Sequence, residues 1–203
     1  MLATLLLAYI CALAAISPAF ADGGAPNLAY VAGGGANGSD LDVIDMSKLS
    51  VSWHTTLDSA PYSVLLSPDS HELFATEPAA NKLIFVGARD HHVDSSLTVA
   101  TRPTAMALDL ASSPNRLYVA EQGSNAVAVV DTSKRRVVAT IPVGAHPSGV
   151  AVAGASSGIP NPHDTQVYVA NTDSNSVSVI ATQEQRVVAT IAVPGAPTGV
   201  VIP

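Results

Sequence analysis

The feature of this sequence that most constrains its fold is an internal repeat. Three separate blocks recur with one common offset of 50 residues: 117–120 as 167–170, 136–141 as 186–191, and 147–150 as 197–200. The second block is the same in both copies for all its residues, Arg-Val-Val-Ala-Thr-Ile. Agreement of three blocks in one register shows that one structural unit is used more than once.

Two more divergent copies precede these. An aromatic residue marks one position at spacings of 44, 44 and 50 residues, and a proline marks a second position: Tyr30, Phe74, Tyr118 and Tyr168; Pro61, Pro103, Pro147 and Pro197. The sequence thus divides into repeats at about 27–70, 71–114, 115–164 and 165–203, with a Gly/Ser/Pro-rich insertion at 154–164. A period in the forties is the length of one β-propeller blade.

Each copy consists of short β-rich runs separated by turn residues. In the third copy these runs are Arg116–Ala120, Ala126–Val130, Val137–Val143 and Ser148–Val152. Gly, Asn, Asp, Ser and Pro fill the breaks between them, as turns require. Four strands per copy predict an all-β protein with four propeller blades.

The segments 118–120, 125–131 and 137–144, with their copies at 168–171 and 187–191, resemble the YVTN family of β-propeller repeats, which includes surface-layer-type propellers. The resemblance is close over 115–203 and looser over 27–114. It implies a propeller of the periplasm or cell surface, in a family that usually forms closed rings of more blades, often without demonstrated catalysis. Such a motif is specific for fold and uninformative about activity.

Read by strand, the repeats open at Asn27 with a second strand and close at Val200–Ile202 with a first, inner strand, which gives sixteen strands. The resemblance to larger propellers favours a partial, open arc, whose flanks another chain could complete. The alternative is a closed four-bladed ring in which the C-terminal strand completes the first blade. A third reading is a truncated fragment of a longer propeller protein.

The first residues predict export. Leu2–Ile16 is almost continuously apolar and is followed by Pro18 and the small-x-small tripeptide Ala19-Phe20-Ala21. This pattern predicts a signal peptide at 1–21, cleavage before Asp22, and a domain at 22–203 in the periplasm, at the cell surface or outside the cell. The segment carries no Lys or Arg, so a retained membrane anchor is the alternative.

Composition bears on the partner. The formal net charge is -7 and aromatic residues make up 4% of the chain. Nucleic-acid binding relies on cationic contacts to phosphate and on aromatic stacking, so nucleic acid is not the expected partner. The chain has one cysteine, Cys11, inside the signal segment, and the predicted domain therefore uses no disulfide.

Three segments match motifs for cofactor binding, catalysis or metal binding, but each has an ordinary structural explanation. Gly33-x-Gly35-x-x-Gly38 matches a dinucleotide fingerprint, but a strand pattern rather than a helix follows it at 39–46. Gly154-x-Ser156-x-Gly158 matches a nucleophile elbow, but lies in the loop insertion. His91-His92 with Asp90 and Asp94 could bind a metal, but adjacent side chains of an extended segment point apart. We therefore predict no catalytic residue, metal or cofactor.

Ligands of propellers usually bind where the connections into the inner strands and the loops between second and third strands meet. At these positions most copies of the repeat have small residues, and four residues are exceptions: Tyr62, Arg102, Glu121 and His146. These are the candidate ligand contacts. The competing explanation is that they are variable loop residues without a binding role. Lys134-Arg135-Arg136, the one basic run, is interpreted as a solvated hairpin turn.

The function that these observations favour is an exported, non-catalytic binding module. It would bind a protein or an extracellular polymer through its loops or blade edges, and a homodimer or another chain could complete the ring. The alternative is a propeller enzyme, either lactonase-like or a quinone- or haem-dependent oxidoreductase, which requires converging acids, bases or metal ligands.

Overall fold

The computed structural model describes residues 27–34, 38–111, 115–153 and 165–202. These residues form fifteen strands: β1 Leu28–Gly34, β2 Asp40–Asp45, β3 Ser50–Thr56, β4 Ser63–Leu66, β5 Glu72–Glu77, β6 Lys82–Gly87, β7 Val93–Thr98, β8 Pro103–Asp109, β9 Arg116–Glu121, β10 Ala126–Asp131, β11 Arg136–Pro142, β12 Pro147–Ala153, β13 Gln166–Asn171, β14 Ser176–Ala181 and β15 Arg186–Ala192. The predicted signal segment and the loop at 154–164, with its Gly-x-Ser-x-Gly motif, lie outside the described residues. The described part contains no helix long and apolar enough to cross a bilayer.

The strands form four antiparallel sheets, each a blade. Blade 1 has three strands, in the order β1-β2-β3, and blades 2 to 4 have four: β4-β5-β6-β7, β8-β9-β10-β11 and β12-β13-β14-β15. The first strand of each four-stranded blade is the inner strand. The segment after Gly38 is strand β2, so the dinucleotide motif lacks the helix that its function needs.

Register is the same in every blade. The repeated aromatic residue pairs with an apolar residue of the next strand in each copy: Tyr30 with Val43, Phe74 with Phe85, Tyr118 with Val129, Tyr168 with Val179. A β-bulge follows at the same place each time, for example between Val129 and Val130. Because a one-residue slip would turn every side chain to the opposite face, this shared register fixes which residues each blade buries.

The hydrophobic core lies between blades rather than within one sheet. Alternate residues of blade 3 face opposite neighbours: Leu117 and Val119 join the core shared with blade 2, whereas Tyr118 and Val127 join the core shared with blade 4. Strand β10 is buried at every position, as expected for an aliphatic strand covered on both faces. Each interior blade therefore depends on both neighbours for burial.

Consecutive inner strands lie side by side. The Thr104 hydroxyl of inner strand β8 donates a hydrogen bond of 3.4 Å to the Pro147 carbonyl of inner strand β12. The Thr104 carbonyl accepts a hydrogen bond of 2.8 Å from the Thr76 hydroxyl of β5, the strand next to inner strand β4. Inner strands β8 and β12 contact each other extensively, whereas outer strands β11 and β15 meet only locally. Blades that meet closely at the inner strand and diverge outwards are the arrangement of a β-propeller.

The four blades form an arc whose sheets remain open. The predicted sixteenth strand is wrong as a strand, because 193–202 contain no residue in strand conformation and β1 pairs with β2 alone among the described strands. The closed four-bladed ring, with the C-terminal strand completing blade 1, is therefore not the structure found. A strand forms only where a neighbour supplies the hydrogen bonds, and none of the described strands pairs with 200–202 in a sheet.

Candidate functional site

Three connections enter the inner strands at one edge of the arc. We call them the mouth loops: 57–62 before β4, 99–102 before β8, and 143–146 before β12. Hairpins between second and third strands reach the same edge, at 78–81, 122–125 and 172–175. The convergence that the sequence predicted is thus present in the structure.

Arg102 and His146 occupy equivalent positions in an unusual backbone conformation. Their φ angles are 56° and 59°, in the left-handed region that favours glycine. Each backbone N–H donates a hydrogen bond of 2.9 Å to an asparagine Oδ1 of the preceding blade, from Arg102 to Asn81 and from His146 to Asn125. Asn81 and Asn125 themselves have positive φ, which asparagine tolerates better than most residues.

The carbonyl groups of the same loops bond to the hairpin of the following blade. The Arg102 carbonyl accepts from the N–H of Gln122 at 2.9 Å, and the His146 carbonyl accepts from the N–H of Thr172 at 3.1 Å. Both loops are therefore held from two sides by one repeated set of backbone contacts. That set fixes the backbone and leaves the identity of the side chain free.

The side chains on this scaffold differ from blade to blade. Arg102 is exposed, and His146 is half-buried with its Nδ1 atom 3.3 Å from the carboxylate of Asp173. Tyr62 occupies the position of Thr104 and Ser148 in the next two blades, whose hydroxyls donate hydrogen bonds to the carbonyls of Pro147 and Pro197. Tyr62 is instead 53% exposed, so an aromatic ring replaces a buried hydroxyl.

Glu121 lies beneath the mouth loop rather than on it. Its side chain is 1% exposed, and its Oε1 accepts a 2.7 Å hydrogen bond from the N–H of Ala100. Burial raises the pKa of this carboxyl above its usual range, and the bond from Ala100 offsets only part of that effect. Its Oε2 is buried without a hydrogen-bond partner among the described residues. Glu121 thus joins the end of blade 2 to blade 3.

Glu77 has the same structural role in blade 2, and the sequence analysis did not identify it. Glu77 is fully buried at the equivalent position of blade 2, and its Oε1 accepts from the N–H of Ser59 at 2.8 Å. The signal was available, because glutamate recurs 44 residues apart at the end of an apolar strand in both copies. A buried, hydrogen-bonded carboxylate that repeats with the blade indicates a structural link between blades.

The basic run contains a second residue whose role was missed. Arg135 is not simply solvated, because its guanidinium lies 5.1 Å from the centre of the Phe85 ring and 2.7 Å from Glu72 Oε1. It also donates a 2.7 Å hydrogen bond to the Ser95 hydroxyl. Arg135 in the β10–β11 turn thus ties blade 3 to blade 2.

The histidine pair sits in the β6–β7 turn. His91 has a φ of 58°, and its ring contacts Tyr30 and Trp53 of blade 1, with centroids 6.4 and 5.9 Å apart. Desolvation lowers the pKa of His91, which favours the neutral ring. Asp94 faces Arg135 at 3.5 Å. These contacts place His91 in the joint between blades 1 and 2.

A cleft of about 570 Å³ opens between blades 3 and 4 beside the third mouth loop. It is lined by Val143 and Gly144 of that loop, by Ser174 and Asn175 of the adjoining hairpin, and by residues of β14 and β15. Among the described residues no group of three or more His, Cys, Asp or Glu side chains is placed to hold a metal ion.

Comparison with known proteins supports the fold. No family model and no curated protein matches this chain. Among solved structures, a chain of hydrazine synthase from Kuenenia stuttgartiensis is similar, with 27% sequence identity and a TM-score of 0.62. The similarity covers 73% of this chain and 40% of the hydrazine synthase chain, so this chain spans less than half of that relative.

Proposed function

We propose that the protein is an exported, non-catalytic β-propeller of the YVTN type that binds a protein or an extracellular polymer through its mouth loops. One observation carries the proposal: Arg102 and His146 share the same left-handed, asparagine-bonded backbone but carry different polar side chains. A left-handed conformation costs a non-glycine residue about 1–2 kcal/mol. Strain that glycine would relieve is typical of positions where the side chain serves recognition.

The chemistry of this edge suggests what kind of group would bind. Arg102 offers an exposed guanidinium, which pairs well with carboxylates, and Tyr62 offers an exposed ring for stacking. His146 lies on the next blade, with the carboxylate of Asp173 3.3 Å from its Nδ1 atom. A ligand that spans two or three blades is therefore expected to combine a carboxylate with an apolar face, as acidic sugars and acidic side chains do.

The test is titration of the purified protein with polygalacturonate, a carboxylated polymer, and with dextran, a neutral one. We expect polygalacturonate to bind and the Arg102→Gly variant to lose at least tenfold in affinity. Because glycine accepts the left-handed backbone, this variant should unfold at the same denaturant concentration as wild type or a higher one. Gln185→Gly, at a left-handed site in the β14–β15 turn, is the matched control. Equal affinity of Arg102→Gly and wild type would contradict the assignment.

The enzyme alternative has one observation in its favour, the buried Oε2 of Glu121, which has no hydrogen-bond partner among the described residues. A carboxyl with a raised pKa can act as an acid or base if substrate reaches it. The similar solved structure is named as a synthase, which also keeps this alternative open. Hydrolysis of a lactone panel, lost in Glu121→Gln but retained in Glu77→Gln, would favour it over the binding module.

A further inference from the structure

Blade 4 exposes a face that the same sequence buries one blade earlier. The hexapeptide Arg-Val-Val-Ala-Thr-Ile occurs in both β11 and β15. Its last residue in β11, Ile141, is 2% exposed and lies in the core shared by blades 3 and 4. Ile191, its copy in β15, is 48% exposed. Tyr118 is 1% exposed, whereas its copy Tyr168 is only half-buried. We call this surface the blade 4 face; by the 50-residue offset it comprises Tyr168, Ala170, Val177, Val179, Ala189 and Ile191. Ala170 and Val179 are buried within one copy, and the other four residues are half-buried or exposed.

An inner-strand segment is already in place beside this face. The carbonyl of Pro197 accepts hydrogen bonds from the Ser148 hydroxyl at 3.3 Å and the Thr172 hydroxyl at 2.9 Å. The carbonyl of Pro147 accepts from Thr104 in the equivalent position one blade earlier. A Cβ added to Gly149 would lie 2.7 Å from the Cα of Gly199, so the two backbones touch. The segment 197–202 thus lies where a fifth blade would begin, but it pairs with no described strand.

Blade 1 has the complementary gap. Its edge strand β1 corresponds to β5, β9 and β13, each of which lies between an inner strand and a third strand. On the side away from blade 2, Ala29, Val31 and Ile44 are half-buried, whereas the equivalent residues of blade 3 are fully buried. We call this surface the blade 1 face. In the described part of the chain, blade 1 therefore lacks an inner strand and, on the side away from blade 2, a neighbouring blade.

We propose that a second copy of this chain docks its blade 1 face on the blade 4 face, so that residues 197–202 of one copy become the inner strand of the other copy's first blade. The resulting sheet, 197–202 with β1, β2 and β3, has the strand order of the other three blades. Two such joints around a two-fold axis give a ring of eight blades without a free sheet edge. This inference does not depend on the proposed ligand.

Polar complementarity supports a second copy as the occupant. At two of the three existing joints, the repeated aromatic residue packs in one core with the residue that corresponds to Asp42 of the next blade: Tyr30 with Ile84, Phe74 with Ala128. At the third joint the corresponding residue is the buried Ser178. At the proposed joint the corresponding pair is Tyr168 and Asp42. Within one copy the Tyr168 hydroxyl donates a hydrogen bond of 2.9 Å to Gln166 Oε1. At the proposed joint it donates instead to the Asp42 carboxylate, a charged acceptor that forms a stronger hydrogen bond than the neutral amide does.

The experiment is measurement of the solution mass of the purified chain by light scattering and sedimentation across a concentration series. We expect twice the mass of one chain. The Ile191→Arg variant should sediment as a folded monomer, because Ile191 is half exposed within one copy and the substitution need not disturb the core there. Stopping the chain at residue 196 should have the same effect.

Val93→Arg is the matched control, since Val93 is 45% exposed on outer strand β7 and lies on neither joining face. It should remain a dimer. A wild-type monomer, an assembly that grows beyond two chains, or a dimer that Ile191→Arg leaves intact would each overturn the proposal. Loss of polygalacturonate binding with an intact dimer would count only against the proposed function.

Discussion

At the scale of single residues, the repeat position decides the role of a side chain more than its chemical type does. Glu121 and Glu77 are acidic residues in a protein with a net charge of -7, yet both are buried and bonded to the backbone of the preceding connection. Arg102 and His146, by contrast, have backbones held in place by the same hydrogen bond and side chains that make no bond common to the two copies. Recurrence of a residue type between copies separates structural residues from variable ones.

The raised pKa of Glu121 has a consequence for stability. The folded state holds the proton more tightly than the unfolded chain, whose glutamate pKa is about 4.3, so folding loses stability as pH rises from that value through the raised folded pKa. We expect the free energy of unfolding of wild type to fall relative to that of Glu121→Gln over this interval. Denaturant titrations between pH 4 and 8 measure the difference, with exposed Glu184→Gln as control. Parallel curves for wild type and Glu121→Gln would contradict the expectation.

At the scale of strands and turns, one hairpin can belong to two blades. The β10–β11 turn connects strands of blade 3, while its Arg135 stacks on Phe85 and pairs with Glu72 of blade 2. Burial raises the pKa of Glu72, an effect that Arg135 opposes. Such a contact links two neighbouring sheets outside their aliphatic cores.

We expect Arg135→Ala to lower the free energy of unfolding by about 1–2 kcal/mol, through loss of the stacked ring and the charged hydrogen bond. Arg135→Lys should recover less than half of that loss, because an ammonium cannot make both the planar contact and the two hydrogen bonds. Urea titration measures both variants. Arg136→Lys, at the exposed first residue of β11 next to Arg135, is the control. Full recovery by lysine would show that charge alone matters.

At the scale of the whole molecule, the position of a strand within its blade is expected to determine how well its backbone amides are protected from hydrogen exchange. Middle strands β9 and β10 are almost completely buried, whereas outer strands β3 and β15 are exposed along nearly their whole length. Opening an outer strand uncovers little apolar surface, so it costs less than opening the molecule.

Hydrogen exchange should therefore be slowest for amides of β9 and β10 and at least tenfold faster for β15, with β11 intermediate despite its identical hexapeptide. The comparison of β11 with β15 isolates the effect of a covering blade, because the sequence is the same. Equal exchange of the two copies at low protein concentration would contradict this account. Slower exchange of β15 at high concentration is the expected effect of the proposed dimer.

Much of the fold follows from the sequence alone. The period, the aromatic and proline markers and the aliphatic runs predicted four blades, and the strands of the third copy lie within two residues of their predicted bounds. The sequence also predicted the edge at which Tyr62, Arg102 and His146 lie. These features depend on local periodicity and turn chemistry, which a chain carries in its own residues.

Only the tertiary structure decided the rest. Identical hexapeptides end in a buried Ile141 and an exposed Ile191, because burial depends on whether another blade covers the face. Glu121 became a buried link and Arg135 a bridge between blades because their partners are distant in the chain. Whether residues 197–202 form a strand is likewise settled by the presence of a neighbour. The sequence determines the unit that repeats, and contacts between units determine what each copy of a residue does.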